Sequence, residues 1–231
     1  KVLFHGHPIA AVAARTEEIA EKACELIEVD YDVHPWAIEI DDAIKPDAPI
    51  LHDFIKFDGK PSNIAGTLEH KKGNIEEGFK DADIIIEKEF ETAAVHQGYL
   101  ETHACLVSVS PDDRTTIWSS SQGQFMVRAM TSFITGIPQS SIRAIPAEIG
   151  GGFGGKTIVY LEPVATILSK KSGRPVKMVM TREEVMRASG PTSGSKSKVK
   201  IGAKNNGKIT AAQGTFYLQA GAFPGAPIRG A

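Results

Sequence analysis

Five glycines surround a single phenylalanine in residues 150–155, within the stretch EIGGGFGGKT (148–157). Backbone without side chains can approach a ligand closely, and glycine adopts conformations that other residues rarely adopt. Consecutive backbone N–H groups in such a segment favour the binding of an anionic ligand. A glycine-rich turn that merely joins two elements is the alternative, and it requires fewer glycines than this stretch contains.

The same segment also fits the phosphate-binding pattern G-x-x-x-x-G-K-[ST] through Gly150, Gly155, Lys156 and Thr157. This alternative interpretation predicts a nucleoside-triphosphate-binding domain that uses residues 150–157. Two features disfavour it. Pro163 interrupts the helix that should start at the loop and direct its dipole at the phosphates, and the residues beyond it resemble a hairpin rather than further parallel strands.

Other polar residues could bind a metal or act as acids and bases. His5 and His7 would share one face of a strand, and so would Glu101 and His103, with His96 nearby. Two imidazoles without a third ligand rarely form a metal site. We therefore expect exposed or hydrogen-bonded side chains here, with Glu101 and His103 as a hydrogen-bonded pair, and we assign no metal ligands.

The composition excludes several classes of protein. The 231 residues are 42% hydrophobic, with a formal net charge of −2 and a pI near 6.4, so neither nucleic acid nor a membrane surface is an expected partner. No apolar run reaches the roughly 18 residues of a membrane helix. The two cysteines, Cys24 and Cys105, cannot form a disulfide framework or a metal–sulfur cage. These features predict a cytoplasmic protein, and the Lys at position 1 suggests a fragment or one piece of a split subunit.

The order of the elements predicts an α+β fold. A strand at 8–14, a helix capped by Thr16 and a strand at 27–32 come first, and a proline-interrupted linker follows. Further on, strands are predicted at 82–91, 100–110, 115–121, 141–149 and 175–180, with helices at 74–79, 125–133 and 163–171 and a hairpin around Asn206-Gly207. Strands and helices do not alternate regularly, which disfavours a doubly wound sheet.

Several of these segments together resemble a known family. GGGFGGK, with SSSQ (119–122) upstream and SGRPVKMVMTREEVM (172–186) downstream, resembles the molybdenum-cofactor-binding subunit of the xanthine dehydrogenase and aldehyde oxidase family. EEGFKDADIIIEKEFE (76–91) and GYLETHACLV (98–107) resemble its first molybdenum-binding domain. The resemblance implies the C-terminal part of an α/β hammerhead domain at 1–45, a linker at 46–72 and the first molybdopterin-binding domain at 73–231, without the second one.

The resemblance also implies roles for individual residues. Phe153 and Thr157 would line the substrate pocket, and the amide of Gln122 would donate to an oxygen ligand of the molybdenum. The residues implied as cofactor-binding are Gln122, Gly151, Gly152, Phe153, Gly154 and Gly155. The glutamate that serves the family as base lies in the second molybdenum-binding domain, so no catalytic residue is assigned to this chain.

The implied activity is hydroxylation of an aldehyde, an N-heterocycle or a similar small substrate with oxygen derived from water. The cofactor is a molybdenum-pterin, the cytosine dinucleotide form being one option. Iron–sulfur clusters and FAD are expected on other domains or subunits, which makes those subunits and the second molybdenum-binding domain the expected partners. The isolated chain is expected to be inactive.

Thr157 replaces the acidic residue of purine-oxidising members, while AGAFPGAP (220–227) resembles the aldehyde and carbon monoxide dehydrogenase branch. A non-catalytic assembly piece is the remaining alternative.

Overall fold

A computed structural model describes residues 1–222 of the chain. Its α-helices have four to twelve residues and its strands two to ten. In chain order they are α1 (Glu17–Glu25), α2 (Ile40–Ala43), β1 (Lys56–Phe57), β2 (Lys60–Pro61), α3 (Ile75–Lys80), β3 (Ile84–Thr92), β4 (Ala104–Val109), β5 (Thr115–Ser119), α4 (Gln124–Thr135), a 3-10 turn (Gln139–Ser141), β6 (Ile142–Pro146), α5 (Glu162–Ser172), β7 (Val176–Val179), α6 (Arg182–Ala188), β8 (Ser195–Ala203) and β9 (Ile209–Leu218).

The chain divides into two compact units. Unit 1 contains residues 1–31 and 96–191, and unit 2 contains residues 32–95 and 192–231. Both helices and strands occur in each unit, and the α+β fold class is confirmed. The domain boundaries that the family resemblance implies, at 45 and 72, stay predictions.

Unit 1 is built on a four-stranded mixed sheet in the order β6-β5-β4-β7. β4 pairs antiparallel with β5 and β7, and β5 pairs parallel with β6. A parallel pair needs a long crossover between its strands, and α4 supplies that crossover between β5 and β6. This connection places the ends of β5 and β6 side by side, so the segments that follow the two strands begin close together.

The core of unit 1 follows from alternation in the strands. Cys105 and Val107 on β4 and Ile117 on β5 are buried, whereas the intervening Leu106 and Trp118 are each 38% exposed. Period-two burial of this kind is what a sheet with one covered face produces. Helix α5 covers that face and packs on β4 and α4.

Two helices of unit 1 end as their sequences predict. Both α4 and α5 stop at a left-handed glycine, Gly136 (φ +75°) and Gly173 (φ +64°), the usual C-terminal signal. Helix α4 buries one face in the core of unit 1. Val127 and Thr131 form the buried face of the helix, while Phe125 is 86% exposed and lies on the other side.

Unit 2 contains a three-stranded antiparallel sheet in the order β3-β8-β9. The predicted hairpin is confirmed, since β8 and β9 pair antiparallel around a turn in which Gly207 has φ +87°. Asn74 caps α3 by accepting the amides of Glu76 and Glu77, and this helix packs on β9. A further short hairpin pairs β1 with β2.

The N-terminal segment differs in part from its prediction. Helix α1 is present and Thr16 caps it through Ile19 N (3.4 Å). The strands predicted at 8–14 and 27–32 were wrong for this chain, because those segments pair with no other strand among residues 1–222. A strand exists only where a neighbour completes its hydrogen-bond ladder.

Candidate functional site

The glycine-rich loop, residues 150–155, follows β6 in unit 1 and adopts an irregular backbone. Gly151 (φ +95°) and Gly154 (φ +89°) are left-handed, and Phe153 is one of three non-glycine residues of the described chain with positive φ, at +49°. Left-handed backbone disfavours side chains with a Cβ. The Phe153 side chain is 73% exposed, so this conformation turns an aromatic ring away from the protein core.

Gln122 lies against this loop, as the sequence predicted. Its side-chain Oε1 accepts hydrogen bonds from Gly154 N (3.0 Å) and Lys156 N (3.2 Å), and its own backbone N donates to Lys156 O (2.8 Å). Two backbone donors fix which end of the amide is oxygen. The Nε2 group of Gln122 consequently faces away from the loop backbone, and it donates to no acceptor within residues 1–222.

Three consecutive amides of the glycine-rich loop are also unsatisfied. The N–H groups of Gly151, Gly152 and Phe153 donate to no protein acceptor in the part of the chain that the structure describes, although Gly152 O accepts from Gly155 N (2.7 Å). Successive free N–H groups in a partly left-handed segment form a concave donor set that suits an anion. Together with Gln122 Nε2, these donors fit the oxygen-rich anionic group that the family resemblance implies.

Three glycines of the loop, Gly150, Gly152 and Gly155, would place an added Cβ within 3.0 Å of a neighbouring atom, and the last two of them are tightly enclosed. A Cβ on Gly152 would lie 2.5 Å from Gln122 Oε1, and a Cβ on Gly155 would lie 2.7 Å from Cε1 of Tyr99. Both residues are buried. A side chain at Gly155 would clash with the buried Tyr99 ring, and a side chain at Gly152 would have to displace the Gln122 amide.

The Glu101 carboxylate binds a residue at each end of the glycine-rich loop. Glu101 Oε2 accepts from Gly150 N (2.7 Å) and from Lys156 Nζ (2.6 Å), and Glu101 N donates to Gly150 O (3.2 Å). Partial burial acts to raise the pKa of Glu101, but the hydrogen bonds from Lys156 and Gly150 outweigh it, and the net shift is downward. Glu101 is therefore held ionised.

A buried hydrogen-bonded group supports the loop from below. Tyr99 OH contacts His103 Nε2 (2.6 Å) and Ser189 Oγ (3.1 Å), and Ser189 Oγ also contacts His96 Nε2 (2.8 Å). Burial, with Lys156 and His96 as further causes, lowers the pKa of His103 to about 4. His103 is therefore neutral at physiological pH.

Arg182 completes this support by anchoring the chain beside Tyr99. Its guanidinium donates to Tyr99 O (2.9 Å) and to Leu100 O. Arg182 is the first residue of α6, whose capping box pairs Thr181 with Glu184. The REE segment (182–184) thus begins a helix, and its arginine has a structural partner.

Thr157 is exposed and hydrogen-bonded to the loop. Its Oγ1 donates to Gly154 O (2.8 Å), so its hydroxyl closes the end of the loop in this structure. Its predicted place in a substrate pocket stays a prediction.

The geometry does not support phosphate binding by the G-x-x-x-x-G-K-[ST] pattern. The Lys156 side chain is fully buried and points at Glu101, whereas a phosphate-binding lysine must reach the ligand. Helix α5 begins at Glu162, several residues after the loop, so its N-terminus cannot direct the loop amides at a phosphate.

Sequence reasoning paired Glu101 with the wrong partner. Glu101 and His103 are both satisfied, but Glu101 binds Lys156 and His103 binds Tyr99. His5 lies in a turn and His7 directly after it, rather than in a strand. Within residues 1–222 no three His, Cys, Asp or Glu side chains are grouped as metal ligands.

The fold is α+β, and comparisons with known proteins specify the family of the chain. Residues 56–229 match the molybdopterin cofactor-binding domain, and residues 1–35 match the a/b hammerhead domain of aldehyde oxidase and xanthine dehydrogenase. The chain belongs to this family of molybdenum-containing oxidoreductases.

Relatives cover nearly the whole chain. The carbon monoxide dehydrogenase large chains of Hydrogenophaga pseudoflava and Afipia carboxidovorans are 33% and 32% identical, each over 96% of this chain and 29% of the relative. "Probable hypoxanthine oxidase XdhD" of Escherichia coli is 32% identical over 96% of this chain and 26% of the relative. The chain thus spans less than a third of these relatives.

Solved structures share the fold. Carbon monoxide dehydrogenase from Oligotropha carboxidovorans superposes with a TM-score of 0.74 at 29% identity, over 87% of this chain and 26% of the other. Aldehyde oxidoreductase from Desulfovibrio gigas gives a TM-score of 0.79 at 22% identity, over 89% of this chain and 22% of the other. In the described part of this chain, no helix has both the length and the apolar character needed to cross a membrane.

Proposed function

We propose that this chain forms the part of a molybdenum hydroxylase that holds a molybdenum-pterin cofactor against a glycine-rich loop. The observation that carries the proposal is the free donor set of Gly151 N, Gly152 N, Phe153 N and Gln122 Nε2, all on one loop and its neighbour. Membership of the family supports the same cofactor. When bound, the cofactor supplies hydroxylation chemistry that uses oxygen derived from water.

The residues of this chain would bind and orient that cofactor. The free loop amides would donate to its oxygen-rich edge, and Gly152 and Gly155 allow the close approach because neither carries a side chain. Gln122 would contribute a neutral donor, whose direction the loop itself fixes through Gly154 N and Lys156 N. Gly154 would thus act indirectly, by holding Gln122.

The substrate would approach from the side of Phe153. Its exposed ring and the nearby Thr157 would line a pocket for an aldehyde, an N-heterocycle or a similar small molecule. Apolar walls exclude water and favour flat or small apolar substrates. The segment AGAFPGAP, which resembles the aldehyde and carbon monoxide dehydrogenase branch, extends from 220 and lies mostly outside the described residues.

Further parts would complete the enzyme. The proposal expects the second molybdenum-binding domain with its glutamate base, and iron–sulfur and FAD-containing domains or subunits, as partners of this chain. The cytosine dinucleotide form of the pterin and a cytoplasmic location belong to the same proposal. We assign no catalytic base to the residues of this chain.

Cofactor analysis of the purified chain, produced in a host that makes molybdopterin, tests the proposal. Stoichiometric molybdenum by elemental analysis, together with pterin fluorescence after oxidation, is the expected result. The proposal would be overturned if the wild-type chain contained neither molybdenum nor pterin, both alone and in its larger assembly.

The variant Gln122→Glu isolates the predicted donor. Its carboxylate can still accept from Gly154 N and Lys156 N but lacks Nε2 and adds a negative charge, so cofactor retention should fall at least about tenfold. Gln139→Glu is the matched control, because Gln139 is exposed and lies on the 3-10 turn of the same unit. Equal retention in both variants would contradict the role of Gln122.

A further inference from the structure

The two ends of the glycine-rich loop meet at a single oxygen atom. Glu101 Oε2 accepts from Gly150 N (2.7 Å), at the start of the loop, and from Lys156 Nζ (2.6 Å), directly after its end. Glu101 precedes β4 whereas the loop follows β6, so this contact joins two segments that are remote in sequence. One carboxylate oxygen thus bridges the base of the loop.

The Lys156 side chain is buried at this bridge, and its ammonium contacts neighbouring groups there. Its side chain is 0% exposed, and besides Glu101 its ammonium contacts Thr102 O (3.4 Å) and the face of the Tyr99 ring (5.0 Å to the centroid). A buried ammonium is costly unless it is paired, so removing its carboxylate partner leaves an uncompensated charge. Lys156 cannot keep its position without Glu101.

Lys156 also connects the bridge to Gln122. Its backbone N donates to Gln122 Oε1 (3.2 Å), and its backbone O accepts from Gln122 N (2.8 Å) and Ser121 Oγ (3.1 Å). A displacement of Lys156 therefore moves the residue that orients the Gln122 amide. The bridge at the base of the loop and the donor set at its top are mechanically linked.

We propose that Glu101 and Lys156 are positioning residues: their ion pair fixes the span of the glycine-rich loop and thereby aims the free amides of residues 151–153 and the Gln122 amide outward. The proposal rests on the proposed function for the identity of the loop's ligand. The loop geometry itself rests on the contacts of Glu101, Lys156 and Gln122 and needs no assumption about the ligand.

If the Glu101–Lys156 pair only stabilised the fold, its loss would have a different effect. Lys170 and Asp113 form an exposed pair of similar length in the same unit (2.8 Å), away from the loop. Loss of such a pair changes overall stability slightly and leaves the loop amides unaffected. The pair is therefore a matched control for Glu101 and Lys156.

Hydrogen exchange of the cofactor-free chain tests the positioning role directly. In Glu101→Gln and Lys156→Met, the peptide covering 148–158 should exchange roughly tenfold faster or more, since the bonded amides of Gly150, Gly154 and Lys156 lose protection. The peptide covering α5 should be unchanged. Asp113→Asn should alter neither peptide.

A double-mutant cycle separates coupling from general destabilisation. Glu101→Gln combined with Lys156→Met removes both charges, leaves no unpaired buried ammonium and should unfold at a higher temperature than Glu101→Gln alone. The exchange of the 148–158 peptide should nevertheless stay fast, because the bridge is gone. This variant keeps the test available if a single variant fails to fold.

Cofactor retention is the second readout. Molybdenum and pterin per folded chain should fall at least about tenfold in Glu101→Gln and in the double variant, but not in Asp113→Asn. Unchanged exchange in the 148–158 peptide of a folded variant would overturn the positioning role. Absence of cofactor from the wild-type chain, with faster exchange in the variants, would overturn the proposed function and leave the positioning role supported.

Discussion

Gln122 uses the two ends of its amide for different purposes. The oxygen accepts from Gly154 N and Lys156 N, and the nitrogen has no acceptor within residues 1–222. An amide can accept from two backbone donors through its oxygen and still offer its NH₂ group on the opposite side. Any replacement that only accepts or only donates would lose one of these functions.

His103 makes the stability of the chain depend on pH. Its pKa is lowered from 6.5 to about 4 by burial and by Lys156 and His96, so the folded chain disfavours protonation. Between these values the unfolded chain binds more protons. Stability is therefore full above about pH 6.5 and is lost as pH falls towards 4, by up to about 3 kcal/mol.

Urea unfolding from pH 7.5 to 4 measures this effect. His103→Gln should be less stable than wild type at pH 7.5, because the Tyr99 hydroxyl loses an optimal partner, and should show a flatter pH dependence down to pH 4. A wild-type-like slope in His103→Gln would show that another group titrates. Glu101, whose pKa is lowered from 4.5, loses its contribution only in more acidic solution.

The sequence predicted that the glycine-rich loop and Gln122 belong to the site. It did not predict the contacts of Glu101 with Lys156 and of Tyr99 with His103 that support the loop. The resemblance of GGGFGGK and SSSQ to the family was enough to predict that the loop and Gln122 come together. The pairing of Glu101 with His103 failed because strand alternation was applied to residues that precede β4, which begins at Ala104. Outside a strand, side-chain direction depends on local backbone angles that no residue pattern specifies.

At the scale of elements, local signals predicted most helices and strands. β4 and β5 lie within the strands predicted at 100–110 and 115–121, and glycines marked the ends of α4 and α5. The strands expected near the N-terminus are absent because strand formation is set by pairing partners, which are remote in sequence. Helix α1 formed because its hydrogen bonds are internal to it.

The N-terminal cap of helix α6 gives a testable prediction for a single element. Thr181→Ala removes the cap that accepts Glu184 N (3.2 Å) and should lower the free energy of unfolding by about 1 kcal/mol. The loss should extend to the loop support, because Arg182 at the start of α6 anchors Tyr99 O.

Thr181→Ser is the conservative control, since its hydroxyl can cap the helix equally well. Chemical denaturation compares the two variants with wild type. A loss of equal size in both variants would attribute the effect to the threonine methyl group rather than to the cap.

At the scale of the whole molecule, we predict that the chain alone does not turn over substrate. Iron–sulfur clusters require about four cysteine ligands each, whereas the 231 residues contain two cysteines, of which Cys24 is exposed and Cys105 buried. No residue of the chain is assigned as catalytic base. Reduction of an artificial electron acceptor with aldehyde substrates should stay at background, and turnover at the rate of a complete enzyme would contradict the prediction.

The two units are interleaved along the chain. Residues 1–31 and 96–191 build one, and residues 32–95 and 192–231 build the other, so the polypeptide passes between them three times. A truncation at any single position would leave at least one unit incomplete. In each unit, segments separated by more than sixty residues must come together, which favours slow folding. During synthesis, unit 2 cannot complete its fold until β8 and β9 have been made.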